Sequence, residues 1–234
     1  MKILALDTAL NACSVAVTEG EAAIAHIHEK RRRGHAETLM PMIQSLMKET
    51  GLRFADLDLI AVTIGPGTFT GLRIGLATAR GIALAAHKPI VGVTTLEALA
   101  AAVPEQLAAG RPVIATADAR RNEIYLQVFS PGRPNGLPEP LSAPLAIPLE
   151  EAHTCLPDEG AVIIGSGGPL LAQQDYFNGA KYSLLDLDED PDAVIVARLA
   201  ANRPVPDADA APPAPLYLRA PDAKLPGGKD AKFL

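Results

Sequence analysis

The segment Gly65-Pro66-Gly67-Thr68-Phe69-Thr70-Gly71 constrains this chain more than any other. It follows a short apolar run, 57–64 (LDLIAVTI), and opens a long stretch, 70–86, whose only charges are Arg73 and Arg80. A short apolar run ending in a glycine-rich turn reads as a buried strand, and the stretch after the turn has the length of a helix. On that helix Gly71, Gly75, Ala79 and Ala83 fall at steps of four and form a ridge almost without side chains, along which another helix can approach closely. A helix so uniformly apolar must be covered on most sides. In a lobe this small, part of the cover is expected from another chain, and burial in the chain's own core is the alternative.

The surrounding pattern fits an α/β lobe. Residues 2–7, 12–18 and 21–28 read as three strands, with Gly20 at a tight turn between the last two. A helix is predicted from Thr38, as N-cap, to Thr50, with Gly51 as C-cap and Pro41 in the first turn, where proline is tolerated. Leu39, Met40, Ile43, Leu46 and Met47 recur on it at helical spacing, and Met42 widens the stripe. Such a stripe is core or, since methionine adapts to partner surfaces, contact surface. A strand at 90–93 and a helix at 94–103 complete the order strand-strand-strand-helix-strand-helix-strand-helix. That is the order of a ribonuclease-H-like lobe, a mixed sheet with helices packed on it.

A second, smaller α/β lobe follows, with strands at 112–117, 123–129 and 161–165 and helices near 169–176 and 191–201. The proline-rich stretches 131–148 and 203–215 read as loops or extended linkers. The expected division is a first lobe at 1–103, a second at 104–188, a C-terminal helix and return segment at 189–219, and a mobile tail at 220–234.

Composition excludes several classes. A chain of 234 residues buries about 70% of its unfolded surface and needs no metal or disulfide staple. Two distant cysteines, Cys13 and Cys155, suit a reduced, cytoplasmic setting. The start lacks the basic and apolar regions of a signal peptide, and no run of about 18 residues is free of charge and turn formers, so no membrane is expected. A net charge of −6 disfavours solitary binding to nucleic acid. The run Lys30-Arg31-Arg32-Arg33 is a solvated strand end or a phosphate-facing edge that acts only beside a second protein.

The candidates for chemistry are sparse. Gly65, Gly67 and Thr68 stand in a strand-to-helix turn that suits an anion, although no P-loop Lys-Ser/Thr follows. Asp7 and Thr8 end the first strand, where a carboxylate can hold a metal–nucleotide water, but aspartate is also a routine turn former. Asp118, Arg120, Arg121, Glu123 and Tyr125 surround one hairpin, as a salt-bridged turn or a cleft rim. Gly165-Ser166-Gly167-Gly168 before a helix approaches a nucleotide or is a plain turn. His26 and His28 share a strand face, but without a third nearby ligand they read as edge histidines, and no metal site is expected.

The stretches ILALDTALNACSVAV, GPGTFTGLRIGLATARGIA, DARRNEIY and PLYLR resemble the TsaB family across nearly the whole chain. The resemblance implies two ribonuclease-H-like lobes of the actin-like ATPase superfamily and a paralogous relation to TsaD. TsaD transfers threonylcarbamoyl from its adenylate to N6 of adenosine 37 in tRNAs that read codons beginning with A. In TsaD two histidines of a Val-Asn-His-x-x-Gly-His stretch hold the catalytic metal. Here the matching stretch is Val93-Thr94-Thr95-Leu96-Glu97-Ala98-Leu99, and Thr95 and Leu99 occupy the histidine positions. Leucine cannot ligate a metal and a lone threonine hydroxyl is a poor ligand. The implied role is therefore a non-catalytic subunit that pairs with TsaD through first-lobe helices, is joined by the ATPase TsaE, forms a homodimer when alone, and meets tRNA only within the complex. The expected interface is Leu39, Met40, Ile43, Met47, Gly71, Arg73, Gly75, Ala79 and Ala83. No cofactor is expected on the chain alone, and ATP or ADP with Mg²⁺ is expected at the partner interface. The competing reading is an actin-like ATPase or small-molecule kinase acting alone.

Overall fold

A computed structural model describes residues 1–131 and 136–219. The tail predicted to be mobile, 220–234, lies outside the described residues. The chain opens with strands β1 (Lys2–Asp7), β2 (Ala12–Glu19) and β3 (Ala22–Lys30), then helix α1 (His35–Thr50). Strand β4 (Leu59–Gly65), helix α2 (Phe69–Ala86), strand β5 (Ile90–Thr94) and helix α3 (Thr95–Ala101) follow. Their five strands form one mixed sheet in the order β3-β2-β1-β4-β5, in which β1, β4 and β5 pair in parallel and β2 runs antiparallel to both of its neighbours, β1 and β3.

The second half holds α4 (Glu105–Ala108), β6 (Val113–Arg120), β7 (Glu123–Phe129), β8 (Leu145–Pro148), β9 (Ala161–Ile164), α5 (Gly168–Leu171), β10 (Tyr182–Leu184) and α6 (Ala193–Ala201). Its strands make a second mixed sheet, β10-β9-β6-β7-β8. Two five-stranded mixed sheets with flanking helices give the expected two-lobe α/β, ribonuclease-H-like architecture.

The first sheet is apolar on both faces, so each face requires a cover. On one face Leu4, Leu6, Val15, Val17, Ile60 and Val62 pack under α1 and α2. On the other, Ile3, Ala5, Ala16, Leu59 and Ala61 pack under α3 and α6. Helix α6 comes from the far end of the sequence and closes a sheet made by the first hundred residues. Ala9, Leu10, Leu72 and Ala117 form a small cluster that joins the two lobes.

Several boundaries differ from the sequence expectation. Helix α1 starts at His35, because Gly34 takes the left-handed conformation (φ 82°) that turns the chain into the helix, and Pro41 sits in its interior on an exposed side. The proline-rich stretch contains β8, an edge strand on β7 with Pro148 at its end, where a missing N–H costs no central ladder bond. The helix expected near 169–176 is a single turn, Gly168–Leu171. Helix α3 opens on a capping box, in which Thr94 Oγ1 accepts from Glu97 N–H (3.1 Å) and Glu97 Oε2 accepts from Thr94 N–H (2.8 Å). Among the described residues no helix is long and apolar enough to cross a membrane.

Candidate functional site: an interlobe cleft and an open helical face

Two surfaces of the molecule are shaped for binding. The first is a cleft of about 800 Å³ between the lobes, lined by Asn11, Arg32, Arg33, Gly67, Thr68, Phe69, Asp118, Arg120, Tyr125, Ser166, Tyr217 and Arg219 among others. Four arginines against one aspartate give it a cationic lining that suits a polyphosphate. Arg120 Nη1 bonds Asp118 Oδ2 at 2.9 Å, and Arg219 Nη1 bonds Glu123 Oε2 at 3.1 Å. The hairpin expected to be either a salt-bridged turn or a cleft rim is both. Arg32 and Arg33 of the 30–33 run reach the same space, and the basic clustering is the signal for them.

The glycine-rich turn borders this cleft but is spent on packing. Thr68 N–H donates to Ala9 O (2.8 Å), and Thr68 Oγ1 accepts from Gly71 N–H (3.2 Å) as the N-cap of α2. Two donors that such a turn could aim at an anion are thus used within the chain. A Cβ on Gly67 would lie 2.4 Å from Ala9 O, which explains the glycine by close approach of two backbones. Gly65 is fully enclosed, with Leu216 O 2.8 Å from where its Cβ would be. Gly165 and Gly167 behave alike, pressed against Thr116.

Of the residues expected at a nucleotide cleft, Gly67, Thr68 and Asp118 line it, whereas Asp7, Thr8 and Gly65 lie buried beneath. Asp7 Oδ1 accepts from Thr63 Oγ1 (2.6 Å) and Ala9 N–H (3.2 Å), while among the described residues Oδ2 has no hydrogen-bond partner. Burial pushes the Asp7 carboxyl up to about 7. Thr8 Oγ1 donates to Gly71 O at 2.8 Å, tying β1 to α2.

The second surface is the outer face of α1 and α2. The small-residue ridge is not part of it. A Cβ on Gly71 would lie 2.1 Å from Thr8 O, one on Gly75 would lie 2.6 Å from Thr8 Oγ1, and Ala79 and Ala83 are buried in the core under the sheet. Leu39, Ile43 and Met47 are buried in the same core. The ridge exists to let α2 settle on its own sheet, which corrects the expectation that it meets another chain. Met40 and Arg73 do face outward. Around Met40 runs an open groove of about 660 Å³ floored by Phe54, Ala77, Thr78, Gly81, Ile82 and Ala85, and Leu84 stands beside it at 79% exposure. Arg73 lies over the Phe69 ring, 3.7 Å from its centroid, and its Nε donates to Tyr217 OH at 3.3 Å. Phe69 and Tyr217 stack at 5.5 Å, so the C-terminal segment straps the start of α2.

Thr95 and Leu99, the positions where the resemblance expects metal-binding histidines, are fully buried at the lobe junction. Leu99 packs with Leu96, Phe129 and Ile164.

Comparison with known proteins agrees with this architecture. Residues 24–132 match the family described as "TsaD: tRNA N6-adenosine threonylcarbamoyltransferase". The Escherichia coli tRNA threonylcarbamoyladenosine biosynthesis protein TsaB is 42% identical over 125 residues, 53% of each chain, so the match spans about half of that relative. An uncharacterized protein of Mycobacterium bovis is 31% identical over 229 residues, covering 95% of this chain and 93% of that one. The structure of YeaZ from Pseudomonas aeruginosa superposes with a TM-score of 0.79 at 31% identity, over 93% of this chain and 99% of that chain.

Proposed function

Because the chain belongs to the TsaB family, whose solved relatives are called YeaZ, we propose that it is an accessory subunit in the N6-threonylcarbamoylation of adenosine in tRNA. In this reading it does not catalyse the transfer. It pairs with a TsaD-type subunit, which acts on adenosine 37 of tRNAs reading codons that begin with A, and a TsaE-type ATPase joins the assembly. It touches tRNA only through that complex, in the cytoplasm, and pairs with a second copy of itself when alone.

The observation that carries the reading is the uncovered apolar face of α2 beside α1. Met40, Ala77, Gly81, Leu84 and Ala85 present a shallow, side-chain-poor surface with almost no charge. A soluble chain gains by burying such a face against a second helical pair. The chemistry at Thr95 and Leu99 supports the accessory half, since leucine cannot ligate a metal, a lone threonine hydroxyl is a poor ligand, and both side chains are buried. The arginine-lined cleft fits the phosphates of ATP or ADP, with Mg²⁺ carried by the nucleotide, at the interface with the partners.

An ATPase or kinase acting alone is the weaker reading. It needs a carboxylate facing the cleft, and Asp7 is enclosed beneath it while Asp118 is paired with Arg120. The test is reconstitution of tRNA modification with the TsaD-type and TsaE-type proteins, read by mass spectrometry of tRNA nucleosides. Modification is expected only when this chain and the TsaD-type subunit are both present. Transfer by this chain in isolation, or full activity without it, overturns the proposal.

A further inference from the structure

The fold brings a third donor to the histidine pair that the sequence left alone. His26 and His28 lie on β3, the edge strand of the first sheet, on the same face, opposite Ala16 and Ser14 of β2. Asp192, the residue that caps α6, arrives beside them from the far end of the chain. One donor atom from each of His26, His28 and Asp192 lies within 4.8 Å of the others. His26 Nε2 is already 3.1 Å from Asp192 Oδ1. Donors around a four-coordinate zinc, with bonds of about 2.0–2.1 Å, stand roughly 3.4 Å apart, so small side-chain rotations suffice to close the site.

Two further observations point to a ligand. Both ring nitrogens of His28 are shielded from solvent, and among the described residues neither has a hydrogen-bond partner, although Nε2 lies 3.4 Å from Asp188 Oδ2. Nε2 thus has only a long contact with Asp188, and Nδ1 has no polar contact among the described residues, a costly state for a shielded ring nitrogen unless something binds it. The local charges are also sorted. Lys30 Nζ bonds Asp188 Oδ1 (2.6 Å) and Asp190 Oδ2 (3.3 Å), while Asp192 Oδ1 faces His26 and the second oxygen of Asp188 faces His28. Asp192 Oδ1 accepts from Val194 N–H as the helix cap (2.7 Å), and a carboxylate has lone pairs enough to cap and coordinate together.

We propose that His26, His28 and Asp192 form a binding site for a divalent transition-metal ion of the zinc class. Two imidazoles and one carboxylate select borderline ions over magnesium or calcium, which prefer all-oxygen sites. Three protein ligands leave a coordination position for water or an exogenous group. The ion clamps the sheet edge to the start of α6, two segments otherwise distant in sequence, so its binding stabilises the first lobe.

The test uses the full chain without a polyhistidine tag, stripped with chelator. Zinc is titrated against a chromophoric competitor, cobalt(II) absorption reports the donor set, and thermal unfolding is followed with and without zinc. One equivalent of zinc is expected to bind and to raise the unfolding midpoint, and magnesium is expected to do neither. Asp192→Asn keeps a competent helix cap and removes the charge, so a loss of binding cannot be assigned to a lost helix. His26→Ala, His28→Ala and Asp192→Asn are each expected to weaken zinc by at least about tenfold. Zinc binding that persists in the His26→Ala/His28→Ala double variant overturns the site. So does an unsubstituted chain that binds no zinc at micromolar concentration.

Discussion

A β-carbon placed on Gly75 would lie 2.6 Å from Oγ1 of Thr8, so α2 rests on the end of β1 at a distance only glycine permits. Thr8 in turn donates to Gly71 O one turn earlier (2.8 Å). Gly75→Leu therefore strikes the inside of the lobe. It is expected to destabilise the chain by about 1–3 kcal/mol or more, the usual cost of overpacking. Urea unfolding of the isolated chain checks this, and a variant as stable as the parent would show that α2 can lift from the sheet.

Gly81 is the contrasting position. It sits on the exposed face of α2, and a β-carbon there meets nothing within 4 Å. Gly81→Glu is expected to keep or slightly raise stability, since glycine in a helix costs up to about 1 kcal/mol. It should sharply weaken pairing with a TsaD-type subunit by placing a charge in the apolar groove. Size-exclusion chromatography of the mixture and a melting curve of the variant report the two effects separately.

Asp7 sets a pH dependence with a definite sign. Burial moves its carboxyl from the ordinary 3.8 up to about 7, and the nearby Asp190 and Asp192 add to the rise against the lowering effect of Thr63 and Ala9. The folded chain keeps a proton that the unfolded chain releases. The contribution is therefore fully present below about pH 4 and is lost as pH rises through about 7. Its full extent is on the order of 4 kcal/mol. Asp7→Asn is expected to flatten this part of the profile and to be more stable than the parent at pH values above that window. Unfolding free energies measured across the range check the prediction, and identical slopes for both chains would refute it.

Arg32 and Arg33 supply cationic lining to the cleft on one side, and Arg120 and Arg219 on the other. Replacing the first pair with glutamate is expected to weaken Mg²⁺–ATP binding to the assembled complex by at least about tenfold, equivalent to about 1.4 kcal/mol. Calorimetric titration at two salt concentrations checks it, because a phosphate contact should also lose salt dependence.

The sequence carried the architecture well because β1, β2 and β4 are largely continuous apolar runs and the glycine-rich turn marks where β4 becomes α2. It did not carry direction. A step of four along Gly71, Gly75, Ala79 and Ala83 defines a smooth ridge, yet periodicity is the same whether a helix of another chain or a β-sheet of the same chain lies against it. Only the position of Thr8 decides. The same holds for β8, whose prolines read as linker because the edge position that tolerates them is a tertiary fact. His26 and His28 looked unpartnered for a related reason, since Asp192 joins them only after α6 has packed on the sheet. The cleft was legible in part: the basic run and the hairpin were visible, but not that Asp7 and Thr8 would be sealed below it.

The placement of α6 across β1 and β2 has a consequence for biosynthesis. Translation delivers domains in N-terminal order at about 5–20 residues per second. Here one face of the first sheet has only α3 as cover until Val196, Ala197 and Ala200 leave the ribosome. The opening lobe cannot mature as an independent nascent unit, and its exposed Ile3, Leu59 and Ala61 are a natural target for a ribosome-associated chaperone. A stalled chain lacking its last forty residues would leave that same apolar surface for the cell's proteases to find.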